Sequence, residues 1–273
     1  MLLALAACSS SSPRPKTFGG ADRPVDLQIP TGFDEGKQYP LIVVLHGYSV
    51  NGFIQESYFG AKAKVTDGTA FVIAPDGLVD SMGHQYWNAD PACCDYDHTG
   101  VDDSGYLSGV IEDIEAAWPI DRVLVMGHSN GGYMSYRLAC DHADLVDGMV
   151  VLAGAYPTTP CQPSRAVPLL HIHGDMDTEV PYSLAMPSVT SWAGLAGCGA
   201  FSAGPTYDLD GVVAGSETTS EIASCPPGPA MERAGLAPAR GIDVQFWTMH
   251  GVGHIPSYTS DFMGTIWQWF STL

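Results

Sequence analysis

The chain has 273 residues, 45% of them apolar, enough to bury a full core in one domain of the size α/β folds commonly take. Asp and Glu number 30 against 11 Lys and Arg, for a net charge of −19. The field of such a protein repels phosphate backbones, which excludes nucleic acid as a partner.

In chain order, the amino terminus from Met1 to Cys8 is short and apolar, with Ala7 before Cys8 as in a bacterial lipobox. It lacks the charged start of a full signal peptide. It points to export, with Cys8 as the lipid-bearing membrane tether that a lipobox implies, and residues 1–23 then form a signal-like segment and polar tether. The catalytic unit is expected over 24–273. Its first core strand is the run at 41–45, ending in His46 and Gly47, so that the N–H of Tyr48 emerges where a strand gives way to a loop. Helix-like residues 53–65 lead to an apolar strand at 71–74 and a long loop, 77–101, that carries Tyr86, Trp87, Cys93 and Cys94. In an open parallel sheet such a loop emerges on the ligand-binding edge. It is expected to wall the substrate cleft, with Trp87 on the cleft and the Tyr48 ring opposite; the other reading of Trp87 is a plug on the core. Asp90, Asp95, Asp97, Asp102 and Asp103 are hard oxygen ligands, but their spacing is not that of a calcium loop, and Asp102 or Asp103 suits a helix N-cap. No metal is expected.

A helix over 104–117 and a strand over 122–126 bring the chain to its most telling stretch, Gly127-His128-Ser129-Asn130-Gly131. A serine two residues from a glycine on each side, between a β-branched run and a helix-like segment, is the pattern of a nucleophile held at the tip of a strained strand-to-helix turn. Such a serine needs a histidine to take its proton and a carboxylate to orient that histidine. After the helix over 131–141 and a strand over 148–153, the strand over 168–172 ends before Asp175 and Asp177, both positioned as the acid. Asp175 equally suits a turn residue. A helix over 183–196 follows, then a Gly-, Ser- and Thr-rich excursion over 199–230 that breaks the alternation. The last strand, 242–248, precedes His250 and His254; Gly251 and Gly253 make that loop compact enough to turn His254, rather than His250, toward the serine. A helix over 261–270 closes the chain. The N–H groups of Tyr48 and Asn130 supply the oxyanion donors. His46, His128, His171 and His173 lie in or beside core strands and are expected to be packed. Strands alternating with helices argue a mostly parallel sheet covered on both faces.

Setting Cys8 aside leaves six cysteines, an even number as a disulfide framework in an exported protein requires. Cys140 ends the helix after Ser129 and Cys161 precedes the next strand; Cys198 and Cys225 bracket the excursion. These are expected to pair, along with Cys93 and Cys94, for which two reduced thiols are the alternative.

His46-Gly47, Ala74 to Gly77, Trp87 to Ala89, Cys93-Cys94, Val101 to Asp103, Gly127 to Gly132, His173 to Tyr182 and Gly253-His254 together resemble the polyhydroxybutyrate depolymerase and feruloyl esterase group of α/β-hydrolases, related to carbohydrate esterase family 1. The resemblance spans residues 24–273. It implies the α/β-hydrolase fold in a single domain, Ser129 as nucleophile, Asp177 as acid, His254 as base, and Tyr48 with Asn130 as oxyanion donors. It implies an ester substrate, a polyester oligomer or an acylated polysaccharide, and no cofactor. The chain departs from that group after the histidine, reading Ile255-Pro256-Ser257-Tyr258 where many members have Trp-Pro. An acetylxylan esterase or aromatic polyester hydrolase uses the same machinery. A serine peptidase would bring an extra domain for which there is no room, and a non-catalytic binding lipoprotein would be expected to have lost a triad residue. The chain is read as a monomer.

Overall fold

A computed structural model describes residues 13–226 and 242–273. Its strands are β1 (Thr17–Phe18), β2 (Val25–Asp26), β3 (Tyr39–Leu45), β4 (Phe71–Ile73), β5 (Leu78–Val79), β6 (Gln85–Tyr86), β7 (Ile120–His128), β8 (Gly148–Leu152), β9 (Leu169–Gly174), β10 (Ser202–Tyr207), β11 (Thr218–Ser224) and β12 (Asp243–Met249). The helices are α1 (Gly52–Phe59), α2 (Lys62–Thr66), α3 (Asp103–Ala117), α4 (Asn130–Asp141), α5 (Ala185–Leu195) and α6 (Phe262–Phe270). Eight strands form one sheet in the order β10-β11-β12-β9-β8-β7-β3-β4, parallel from β12 to β4.

The central strands read as unbroken apolar runs because both of their faces are covered. Alternation divides the side chains between two cores: Leu41, Val43, Leu45 and Val125 face one way, with Leu107 and Ile111 of α3, Leu138 of α4 and Trp192 of α5. Ile42, Val44, Leu124 and Met126 face the other, with Phe59 of α1 and Phe262, Ile266 and Phe270 of α6. In register, Leu45 lies beside Gly127, His128 beside Leu152, and Gly174 beside Met249. The strands therefore end together, and the loops that follow them gather on one edge.

Three sequence expectations are refined. The helical stretch near 53–65 divides, because Gly60 adopts a left-handed conformation (φ 69°) that ends α1 before α2 begins. The 199–230 excursion contributes β10 and β11, which extend the main sheet, β11 antiparallel to β12 and β10 antiparallel to β11. The boundary after residue 23 is a correction. Arg23 forms a buried ion pair with Asp103, Trp118 Nε1 donates to Pro15 O at 2.8 Å, and Thr17 pairs with Asp26, so the chain from Pro15 onward is docked rather than a free tether. Cys8 lies outside the described residues. No helix among those described is long and apolar enough to cross a membrane. Disulfides join Cys140 to Cys161, Cys198 to Cys225, and Cys93 to Cys94.

Candidate active site

Ser129 stands between β7 and α4 with φ 54° and ψ −119°, a conformation few L-residues adopt. The flanking glycines allow it by close approach: a Cβ on Gly127 would collide with Gly131 O, and one on Gly131 with Leu45 O. The serine side chain does not cap the helix it precedes, so Oγ is not tied to the helix's own N–H groups.

The turn after β9 carries both aspartates and the turn after β12 both histidines. The structure pairs them two by two. Asp177 Oδ2 accepts from His254 Nδ1 at 2.7 Å, with Asp177 buried and the His254 side chain 8% exposed. Asp175 Oδ2 meets His250 Nδ1 at 2.9 Å in the open, and His250 Nε2 lies 2.9 Å from Thr219 Oγ1. Only the first pair adjoins the elbow. His128, the neighbour of Ser129, bonds through Nε2 to His254 O at 2.8 Å, and the two imidazole rings are 4.9 Å apart. Burial holds the His128 imidazole down at about 4, so it is neutral and donates to that carbonyl. Burial works to raise the Asp177 carboxyl, but hydrogen bonds from His173 and His254 outweigh it and hold the group well below the usual carboxylate range. The other Asp177 oxygen accepts from the Glu179 and Val180 N–H groups at 2.9 and 3.1 Å. Glu179 Oε2 lies 3.8 Å from His254 Nε2.

Across the elbow, the turn after β3 closes over the serine: a Cβ on Gly47 would lie 3.5 Å from Ser129 Cβ. Tyr48 follows Gly47, and Asn130 opens α4, where the first N–H groups have no partner within the helix. These are the two sequence-predicted oxyanion donors. His46 is packed, with Nε2 accepting from Gly77 N at 2.9 Å.

Trp87 is a correction. It is fully buried, its ring 4.8 Å from that of His46 and its Nε1 donating to His46 O at 3.1 Å, so it plugs the 77–101 loop onto the core and does not line the cleft. What sequence reading missed is that the Asn130 side chain grips it: Trp87 N donates to Asn130 Oδ1 at 2.7 Å, and Asn130 Nδ2 donates to Trp87 O at 2.9 Å. The Tyr48 ring is a second correction. Its hydroxyl donates to Asp80 at 2.6 Å and its ring is 5.4 Å from that of Tyr96, so it belongs to the same wall as the loop. Desolvation and the Asp80 carboxylate push that hydroxyl up to about 12.

The acidic residues of that loop serve the chain itself. Asp90 accepts from Thr158, Asp95 from Thr99 and Gly100, and Asp97 from Ser81; Asp102 caps α3 through Gly105 N, and Asp103 accepts from Asn88 N.

Residues 33–192, more than half of the chain, match the phospholipase/carboxylesterase family. The chain belongs to that family. It is 33% identical over 163 residues to a probable feruloyl esterase C of Aspergillus terreus, covering 57% of this chain and 55% of that protein. It is 27% identical over 183 residues to a putative esterase, NocK, of Nocardia uniformis subsp. tsuyamanensis, covering 64% and 51%. The chain thus spans about half the length of these curated relatives. Among solved structures, the acetyl xylan esterase of Aspergillus awamori superposes with a TM-score of 0.62 over 92% of this chain and 95% of that one, at 15% identity. That likeness establishes the α/β-hydrolase fold.

Proposed function

We propose that this chain is a serine carboxylesterase working through Ser129, His254 and Asp177. The observation that carries the reading is the buried Asp177–His254 pair beside the elbow serine. Asp177 holds the proton of His254 on Nδ1, which leaves Nε2 to accept the Ser129 proton as Oγ bonds to the ester carbonyl carbon. The N–H groups of Tyr48 and Asn130 receive the charge that develops on the carbonyl oxygen. Collapse breaks the ester C–O bond, His254 returns the proton to the departing alcohol, and water repeats the sequence on the acyl-enzyme. Ligand-free enzymes commonly show long serine–histidine hydrogen bonds that tighten with substrate.

The relatives named as feruloyl esterases favour a hydroxycinnamoyl ester as substrate. A second reading, a polyester chain, is favoured by exposed apolar side chains on the edge where the parallel strands end: Phe53, Val79, Met82, Met176 and Ile255. Three disulfides favour an oxidising compartment and hence export, with one catalytic domain. Hydrolysis of a short-chain chromogenic ester, lost in Ser129→Ala, is the expected result. Retained activity in that variant, or none in the parent protein, rejects the reading. Parallel rates on methyl ferulate, hydroxybutyrate oligomers and acetylated xylan then choose the substrate.

A further inference from the structure

The acid of the triad is the near end of a buried chain of hydrogen bonds. His171 and His173 are two apart on β9, so both point to the same face of the sheet, and their rings lie parallel, 5.5 Å apart. His173 Nε2 lies 2.9 Å from Val180 O and 3.1 Å from Asp177 Oδ2; its Nδ1 lies 3.2 Å from His171 Nε2. His171 Nδ1 in turn lies 3.0 Å from the hydroxyl of Tyr136. All three side chains are essentially without solvent contact.

The far end fixes where every proton sits. Tyr136 is fully buried, and His171 Nδ1 is the one hydrogen-bond partner of its hydroxyl among the described residues, so the phenol must donate or leave an O–H unpaired in the core. His171 Nδ1 is therefore bare and its proton is on Nε2, pointing at His173 Nδ1. That nitrogen is bare in turn, and the His173 proton is on Nε2, where a backbone carbonyl and the Asp177 carboxylate both accept it. A protonated His173 would reverse the chain and strand the Tyr136 O–H.

Resting on the triad reading above, we infer that His173 is a positioning residue for Asp177. Its Nε2–H fixes Oδ2, the oxygen that also receives the His254 N–H, with the direction of the donor locked by His171 and Tyr136. The relay has a spatial consequence as well. Tyr136 lies seven residues after Ser129, on the helix that the nucleophile begins. One hydrogen-bonded chain thus ties the acid to the element that carries the nucleophile.

Nitrogen NMR of the imidazoles in the full chain reads the relay directly. His171 is expected to carry its proton on Nε2 with Nδ1 bare; a proton on His171 Nδ1 overturns the assignment. In kinetics, His173→Phe is expected to lower kcat about 10- to 100-fold at unchanged KM, the effect of one hydrogen bond to a charged group. His173→Gln, whose amide N–H reaches the same carboxylate, is expected to recover most of that loss. Unchanged kcat in His173→Phe overturns the positioning role, as does an equal loss in both variants. Ser129→Ala and Asp177→Asn, run alongside, separate the two levels of argument. If both are inactive while His173→Phe works at the parent rate, only the positioning role falls; activity in Ser129→Ala removes the triad reading and the relay's purpose with it.

Discussion

Two aspartate–histidine pairs stand on the same edge of the sheet, drawn from the same two turns, and they differ in what surrounds them. Asp177 receives N–H groups from Glu179, Val180, His173 and His254, and its partner histidine is almost closed to solvent. Asp175 and His250 are 2.9 Å apart, with side chains 30% and 51% exposed, and the hydroxyl within reach of that histidine belongs to Thr219, near the start of the ladder strand β11. A carboxylate paired with an imidazole thus occurs twice in this molecule, each beside a hydroxyl-bearing residue, Ser129 in the proposed triad and Thr219 in the open pair. What separates them is enclosure, and a turn that lifts the hydroxyl out of the backbone's hydrogen bonding. In water, charges 4 Å apart interact by about 1 kcal/mol, and enclosure raises that several-fold.

The largest expected effect comes from breaking each pair in the same way. Asp177→Asn is expected to lower kcat by up to about 10⁴ with the fold intact, because the asparagine favours the wrong tautomer of His254. Asp175→Asn is expected to change it by less than about threefold, being an exposed pair worth at most about 1 kcal/mol. A larger loss in Asp175→Asn reverses the assignment. A smaller effect sharpens the contrast between enclosed and open histidines. Burial holds His46, His128 and His171 below their ordinary range, so the unfolded chain binds more protons than the folded one beneath about pH 6.5. Their contribution to stability is complete above that pH and is lost as the pH falls below it, toward about 4 for His128, at up to about 1.4 kcal/mol per pH unit for each histidine. Denaturant unfolding at pH 7.5 and pH 5 measures this slope, and equal stability at the two values argues against neutral burial. The smallest effect is expected in His250→Ala, which should cost at most about 1 kcal/mol in the same experiment; a loss several times larger would show that the exposed pair carries more of the fold than its surroundings suggest.

Much of this was legible in the sequence because it is local. The elbow is written in consecutive residues, and the glycines at 127 and 131 are required by contacts within the same strand-turn-helix unit and with the neighbouring strand. The mostly parallel sheet is legible in apolar runs that alternate with helices and need cover on both faces. Other features depend on partners far away in the chain. Trp87 reads as a cleft residue until the grip of Asn130, 43 positions later, draws its backbone onto the elbow. Arg23 reads as part of a polar tether until Asp103 takes it into the core. His171 and His173 read as packing residues, and their spacing of two was the available signal that both face α4 and the acid. The choice between Asp175 and Asp177 stayed open on the residues alone, because both follow the same strand and only burial tells them apart.

The double hydrogen bond between Asn130 and the Trp87 backbone sets a rule for anyone who would exchange the 77–101 segment for a relative's, to redirect the proposed esterase toward another ester. Any graft must return its main chain to the same spot, offering one N–H and one carbonyl to the side chain of Asn130, whose own N–H is the proposed oxyanion donor. A transplanted loop that misses this seat leaves the Asn130 amide unpaired against the elbow. Swaps are therefore expected to succeed when the cut points are placed outside Tyr86 and Asn88, with the tripeptide Tyr86-Trp87-Asn88 kept as a fixed mount.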